Sequence, residues 1–253
     1  NNTGSSYYTV VIGSTASLNG RSQYSVIIGN AAQAGTGNAN KTITIGHQAQ
    51  SNVSAEGSIA IGYQSGFSQT SGVGNTNVGY EAGYTNTTSG NNTTVGYQAL
   101  KTSTSADNTS LGYKAATAVT TSNNGVYIGS EVALIATAGV SNSVLIGSDV
   151  QKSSAGASDS VIIGSQAGES APGDTVVCVG RVAGKTNTSF GLVSIGGYAG
   201  FSQTSGTANT NVGYAAGQNN STGANRLCVG YNAGKQQTAV SYTHLTLPTM
   251  YTV

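Results

Sequence analysis

Tryptophan is absent from this chain, methionine occurs once, and proline and cysteine occur twice each in 253 residues. Charge is scarce too, since Asp, Glu, Lys and Arg make up 7% of the chain, against roughly 25% in an average soluble protein. Nine basic and eight acidic residues leave a net charge of +1. That removes the electrostatic case for nucleic acid or an anionic membrane as a partner. No apolar run approaches the ~18–20 residues a membrane-spanning helix needs, so membrane insertion is not expected. The chain opens on Asn1 with no secretory leader, which reads as a fragment edge or a mature end.

Gly, Ser, Thr, Asn and Ala fill the space that charge leaves empty. Such a composition suits disorder, except that disordered chains lack regularly spaced Val and Ile. Here a branched apolar residue followed by glycine recurs at Gly13, Gly29, Gly46, Gly62, Gly79, Gly96, Gly112, Gly129, Gly147, Gly164, Gly180, Gly196, Gly213 and Gly230, always 16, 17 or 18 residues apart. A fixed period of this kind marks a stacked array. We number the repeats 1 to 14 by these glycines.

The position before the glycine is Ile, Val or Leu in every repeat: Ile12, Ile28, Ile45, Ile61, Val78, Val95, Leu111, Ile128, Ile146, Ile163, Val179, Ile195, Val212 and Val229. The third position before it is Val, Ile, Leu or Thr. Side chains alternate along a strand, so these two share one face and read as the core ladder. Three residues after the glycine stands Ala in eleven repeats, with Ser65, Val132 and Val150 as exceptions, and a second glycine often follows, as at Gly83 and Gly217. The rest of each repeat is rich in turn-forming Ser, Thr, Asn and Gly. A helix is excluded by the missing i, i+3, i+4 rhythm and by the density of glycine and β-branched residues. The expected fold is all-β, a parallel β-solenoid of about fourteen 16–18-residue coils over residues 1–239, roughly 65–70 Å long at ~4.8 Å per coil.

Ladders replace a globular core in such a rod. Thr76, Thr93, Thr109 and Thr210 share one slot, and Asn75, Asn92, Asn108 and Asn209 another, where stacked amides are expected to bond. Asp in place of Ile61 or Val95 is expected to be severe, because an unpaired charge would enter the apolar column. Cys178 and Cys228 stand two before the glycine, three coils apart. At about 14 Å they exceed the ~7 Å limit for a disulfide and read as small apolar fillers. The 18-residue repeat has an apolar linker from Val132 to Ala138, either a bulged coil or a contact patch. Phe67–Gly83 and Phe201–Gly217 match at 14 of 17 positions, a sign of growth by copying blocks of coils. Residues 240–253 abandon the pattern. Their Val-Ser-Tyr-Thr-His-Leu-Thr-Leu-Pro-Thr resembles a translated sequencing-library adapter, and they are set aside as non-native.

Ser25-Val-Ile-Ile-Gly29 and Ser58-Ile-Ala-Ile-Gly62 resemble the head repeats of YadA-like trimeric autotransporter adhesins. Asn75-Thr-Asn-Val-Gly-Tyr-Glu-Ala-Gly83 and Asn209-Thr-Asn-Val-Gly-Tyr-Ala-Ala-Gly217 are similar to bacteriophage tail-fibre repeats. The resemblance runs up to Gly234. It implies a left-handed β-roll, three chains side by side as a homotrimer, and an extracellular place on a cell surface or virion.

The residues add one hint of their own about assembly. Two before the glycine, where side chains are expected to point away from the interior, stand Val11, Ile27, Leu145, Ile162, Cys178 and Cys228, and none of the fourteen residues there is charged. A solvent face ordinarily carries some Lys or Glu. A lateral interface explains their absence, and so does the general poverty in charge. Tyr63, Tyr80, Tyr97, Tyr113, Tyr214 and Tyr231 follow the glycine directly. They form either a surface-recognition ladder for a cell-surface glycan or host receptor, or a stack that stiffens the rod.

Catalysis has little to stand on. His47 is the single histidine before the tail, and Glu56, Glu81, Asp107, Glu131, Asp149, Asp159, Glu169 and Asp174 are scattered, with no recurring acidic partner. No Cys/His spacing suits zinc, and nothing calls for a cofactor. The expectation is a structural or adhesive segment of an extracellular fibre. Two alternatives stay open: a filament of copies stacked end to end, and an ice-binding solenoid, which would need a flat face of regularly spaced Thr.

Overall fold

Each repeat sets a run such as Val-Ile-Ile or Thr-Asn-Val before its glycine, and β-branched side chains favour the extended backbone. In the computed structural model, which describes residues 7–17, 22–35, 40–51, 56–135, 140–152, 157–170 and 173–236, these runs are fourteen strands, β1 (Val10–Ile12) to β14 (Leu227–Val229). Most are three residues long, while β8 (Val126–Ser130) and β9 (Val144–Ser148) reach five. All are parallel in one sheet, in chain order, each bonded to the strand of the next repeat. The chain is an all-β parallel solenoid, and no helix occurs among the described residues. The tail set aside above, 240–253, lies outside them.

Equivalent letters stack in file. Val78 pairs with Val95, Val95 with Leu111 and Leu111 with Ile128. The fourteen repeat glycines share a φ of 121–146°, and a Cβ on Gly96 would lie 2.3 Å from the carbonyl oxygen of Gly112 in the next coil. Only glycine lets successive coils close to this distance. Every coil then bends through left-handed backbone at three further places: two and four residues after the glycine, and five before it. The second glycine of the repeat, as in Gly83 (φ 59°) and Gly217 (φ 58°), occupies one of these corners.

The core lies on the opposite side of the strand from the one expected. The residue two before the glycine is buried in thirteen coils, from Ile27, Thr44 and Ala60 through Tyr127 and Leu145 to Cys228; Val11 in coil 1 is the exception at 37% exposed. The proposed core ladder, Ile12 to Val229, is half-buried or exposed throughout, as is the third position before the glycine. The proposed lateral interface of Ile27, Leu145, Ile162, Cys178 and Cys228 is therefore interior. Alternation fixes which residues share a face, not which face points inward. The interior takes the small residue three after the glycine, the residue four before it, which is Ser, Thr or Asn in ten coils, and in many coils a further side chain four or seven after the glycine, such as Leu100, Gln69 or Gln203. Two branched side chains per coil go outside.

Interior chemistry varies along the rod. From coil 6 to coil 12 an apolar cluster includes Leu100, Val119, Tyr127, Leu145, Ile162 and Leu192. Tyr127 fills the lumen of the coil before the 18-residue step, donating its hydroxyl hydrogen to the Val140 carbonyl at 3.1 Å, and burial pushes its phenol up. In the apolar linker Val132 and Ala133 are buried and Ile135 is exposed, while 136–139 lie outside the described residues. Cys178 and Cys228 are free thiols within the rod, and burial pushes Cys178 up to about 12.

The Asn column is a ladder, but with backbone partners. Asn75 Oδ1 accepts the Asn92 amide N–H (2.9 Å), Asn92 Oδ1 that of Asn108 (3.0 Å) and Asn108 Oδ1 that of Gly125 (2.9 Å). Asn92 Nδ2 also donates to the Ser105 carbonyl at 2.9 Å. Ser58, Ser143 and Ser160 hydroxyls accept the same amide from their neighbours. Each side chain thus satisfies a buried N–H of the following coil.

A candidate assembly face and its aromatic edge

Because the interior takes alternate residues, the others form a continuous outer face. It consists of the first and third positions before the glycine in fourteen coils: twenty-eight residues, of which Thr76, Thr93, Thr109 and Thr210 are Thr and the rest Val, Ile or Leu. All are half-buried or exposed, Leu111 at 45% and Ile43 at 38% for example. In-register pairing keeps both columns straight over thirteen steps of ~4.8 Å, a strip about 60 Å long and ~10 Å wide. Its area, about 600 Å², equals or exceeds the largest apolar patch of ordinary monomers, ~300–600 Å².

Tyrosine borders this strip. Tyr63, Tyr80, Tyr97 and Tyr113, with His47 below them, stack with centroids 5.0–5.5 Å apart and planes within 15°. Tyr214 and Tyr231 form a second stack at 5.6 Å. Between them the slot is taken by Ser130, Ser148, Ser165, Arg181 and Gly197. Arg181 Nη1 donates to the Tyr198 hydroxyl at 2.7 Å, and its guanidinium lies over that ring. Within a stack each ring face is covered by its neighbour, so the surface presents ring edges and hydroxyls. A sugar needs an open face to pack on, and the inner rings offer none.

Beside the aromatic column runs a polar one. Gln64 Nε2 donates to Gln48 Oε1 (2.9 Å), and Gln98 Nε2 to Glu81 Oε2 (2.8 Å), which also pairs with Lys101 at 2.6 Å. Desolvation pushes the Glu81 carboxyl up, but Lys101 and Gln98 outweigh it and hold the group below its usual value. Lys152 bridges Glu131 and Asp149 in the same way. Glu81 and Glu131 thus each pair with a lysine of the next coil. Among the described residues no three His, Cys, Asp or Glu side chains gather in a way that would hold a metal ion.

On the far wall, Thr85 and Thr87, Thr102 and Thr104, and Thr186 and Thr188 stand two apart in their coils, with Thr70, Thr120 and Thr204 in the outer of the two columns. Thr85, Thr104 and Thr186 each donate a hydroxyl hydrogen to a carbonyl of the next coil, at 2.8–3.0 Å. These Thr recur six and eight residues after the repeat glycine and are confined to part of the rod. The outer strip was hidden by its hydrophobicity, which read as core. No protein-family model matches this chain, and no curated protein or solved structure matches it.

Proposed function

We propose that this chain is a structural segment of an extracellular fibre, a phage tail fibre or surface adhesin, whose solenoids associate side by side through the outer face of the sheet. The observation that carries the reading is the continuous strip of Val, Ile, Leu and Thr, uncharged at all twenty-eight positions. An exposed strand face left to water is ordinarily broken by Lys or Glu as protection against sticking. A second copy of the chain is the occupant that matches its length and its ~4.8 Å step. With its borders the strip approaches the ~800 Å² per partner of a stable interface. Three chains around one axis would bury all three strips, the arrangement implied by the likeness to adhesin-head and tail-fibre repeats. The role is mechanical: to span distance and present a repeated surface for attachment. Sedimentation equilibrium at micromolar concentration tests it. A trimer is expected, and a monomer refutes lateral assembly.

One observation favours a second reading, ice binding. The Thr column eight after the glycine runs through coils 4–7 and 11–12 and is doubled in coils 5, 6 and 11, and most of these hydroxyls are held by bonds to carbonyls of the next coil. Each hydroxyl oxygen keeps lone pairs for water in a regular array. Thermal hysteresis in freezing solution is the test, and its absence ends the reading. A filament of copies stacked end to end depends on the terminal coils, which adjoin residues 1–6 and 237–253, outside those described.

A further inference from the structure

The rings that follow the repeat glycine form columns of identical phenols held at one spacing. Tyr63, Tyr80, Tyr97 and Tyr113 stack in sequence with centroids 5.0–5.5 Å apart and planes within 15°. Tyr214 lies on Tyr231 at 5.6 Å and 12°. In the turn five residues before the glycine, Tyr8 lies on Tyr24 at 5.3 Å and 12°. The backbone under the four-ring stack stays in register past the glycine, since the Glu81, Gln98 and Lys114 amides donate to the Tyr63, Tyr80 and Tyr97 carbonyls at 2.8–2.9 Å. Like carbons of successive rings are therefore separated by about the ring spacing. The stack is open to solvent along its outer edge, each of its four tyrosines being 40–48% exposed.

Where the rings after the glycine stand follows the lumen. The five coils with Val, Ile, Leu or Tyr in the slot two before the glycine (Val11, Ile27, Tyr127, Leu145 and Ile162) carry Ser14, Asn30, Ser130, Ser148 and Ser165 after it. Every ring after the glycine belongs to a coil whose slot holds Ala, Ser, Thr, Asn or Cys, while coils 11 and 12, with Cys178 and Ser194 in the slot, carry Arg181 and Gly197. The stacks thus lie on coils where that slot contributes least apolar burial, and they add a ring-to-ring contact across the same junctions.

We propose that the stacked tyrosines are a site of oxidative modification, at which a one-electron oxidant joins neighbouring rings into dityrosine and so ties one coil to the next. Each phenol gives one electron to the oxidant and its hydroxyl proton to water. The two phenoxyl radicals couple through one Cε of each ring, which forms the new carbon–carbon bond. The hydrogen on each of those carbons then passes to the phenolic oxygen, so the pair loses two electrons and two protons in all. Radical and partner are already neighbours, because the stack holds them within one ring spacing. Exposed side chains turn within picoseconds to nanoseconds, which brings the two carbons into contact. A bridge from Tyr80 to Tyr97 spans a 17-residue step and restricts the unfolded chain as a disulfide does. The bridge lies within one chain and is independent of how the rods associate.

The test oxidises the parent protein with a photoexcited ruthenium tris-bipyridyl complex and persulfate, which takes up two electrons as it splits into two sulfates. Digestion and mass spectrometry should find Tyr80 joined to Tyr97 within single chains, the pair lacking two hydrogens, and the other stacked pairs joined likewise. Tyr127 is fully buried between Ser110 and Leu145 in its column and should stay unbridged. Bridging in urea-unfolded protein should be at least about tenfold slower, because proximity is lost. Tyr97→Phe keeps a ring in the stack and should abolish both bridges made at that position while Tyr63 still joins Tyr80. Absence of bridges, bridges found only between chains, equal rates in folded and unfolded protein, or Tyr80 joined to Tyr113 in the variant overturns the proposal. The denaturation midpoint of the bridged protein should rise, and an unmoved midpoint overturns the tie between coils.

Discussion

Gly96→Ala measures what holds the coils together. The new Cβ would stand 2.3 Å from the Gly112 carbonyl oxygen and 2.8 Å from its carbon, at a φ of +134°. Backbone strain of this kind costs about 1–3 kcal/mol. The overlap must also open the junction where the Gly112 amide donates to the Val95 carbonyl at 2.8 Å, a further ~1 kcal/mol or more for a loosened bond. The sum, about 2–5 kcal/mol, is a large part of an ordinary domain's stability of roughly 5–15 kcal/mol. In a stacked array the loss should fall on the junction of coils 6 and 7. Hydrogen exchange should therefore accelerate at the amides of Thr93, Gly96, Thr109 and Gly112 more than at those of coils 2 or 12, with a matching drop in the denaturation midpoint. Two controls separate clash from glycine's backbone freedom alone. Gly57→Ala sits at φ +68° with no atom within 4 Å and should cost about 1 kcal/mol. Gly197→Ala has no left-handed φ and meets Tyr214 Cδ2 at an ordinary 3.4 Å, so it should be neutral. If Gly96→Ala costs no more than Gly57→Ala, close approach is not what selects the repeat glycine.

Asn92→Ala removes an acceptor for the Asn108 amide and a donor to Ser105, and should cost about 2–5 kcal/mol for two groups left unpaired. Asn92→Ser should recover part of this in the same denaturant titration, because serine accepts that amide in other coils. Thr94→Asp should unfold coils 5–7, since Thr94 is fully buried and an uncompensated charge there costs about 3–5 kcal/mol. Val95→Asp, one residue on, should keep its β circular dichroism and lose self-association; the opposite pairing would restore the core ladder first expected. Glu81 and Asp149 are held below their usual values, Asp149 by Lys152 against desolvation. Their contribution is therefore present above the unfolded carboxylate range and lost as pH falls through the lower folded values. Melting temperature should drop between about pH 5 and pH 2, less steeply in Glu81→Gln with Asp149→Asn, and an unchanged slope would count against these pairs.

Much of the architecture was legible because repetition reports on stacking directly. Once Val78, Val95 and Leu111 share a slot, a solenoid places them in file, and the Asn75, Asn92 and Asn108 column follows. What stayed hidden has physical causes. Ile61 and Ala60 differ in hydrophobicity in the direction opposite to their burial, so hydropathy alone does not identify the inner face. The corners were hidden for another reason. Gln98, Leu100 and Ala116 adopt left-handed backbone that their own side chains disfavour, and bonds from neighbouring coils, such as Gln98 N–H to the Tyr80 carbonyl at 2.8 Å, hold them there. No single repeat contains that information.

The contrast between the two faces of the strand bears on the proposed assembly. Inside, the slot two before the glycine passes through Ile27, Thr44, Ala60, Asn77, Thr94, Ser110, Tyr127 and Leu145, because each coil has to fit only the coils directly above and below it. Local compensation lets chemistry and size drift along the lumen. Outside, the two columns hold to branched apolar residues and Thr, with Leu111 and Leu227 the only unbranched-β exceptions. Strand propensity favours Val, Ile and Thr at these positions, but it does not by itself exclude a charged residue from a half-exposed site. A partner that repeats every ~4.8 Å over the whole length would impose such a constraint at each step. Another copy of the sheet has that repeat by construction, whereas a globular receptor would restrain a few coils and leave the others free to vary.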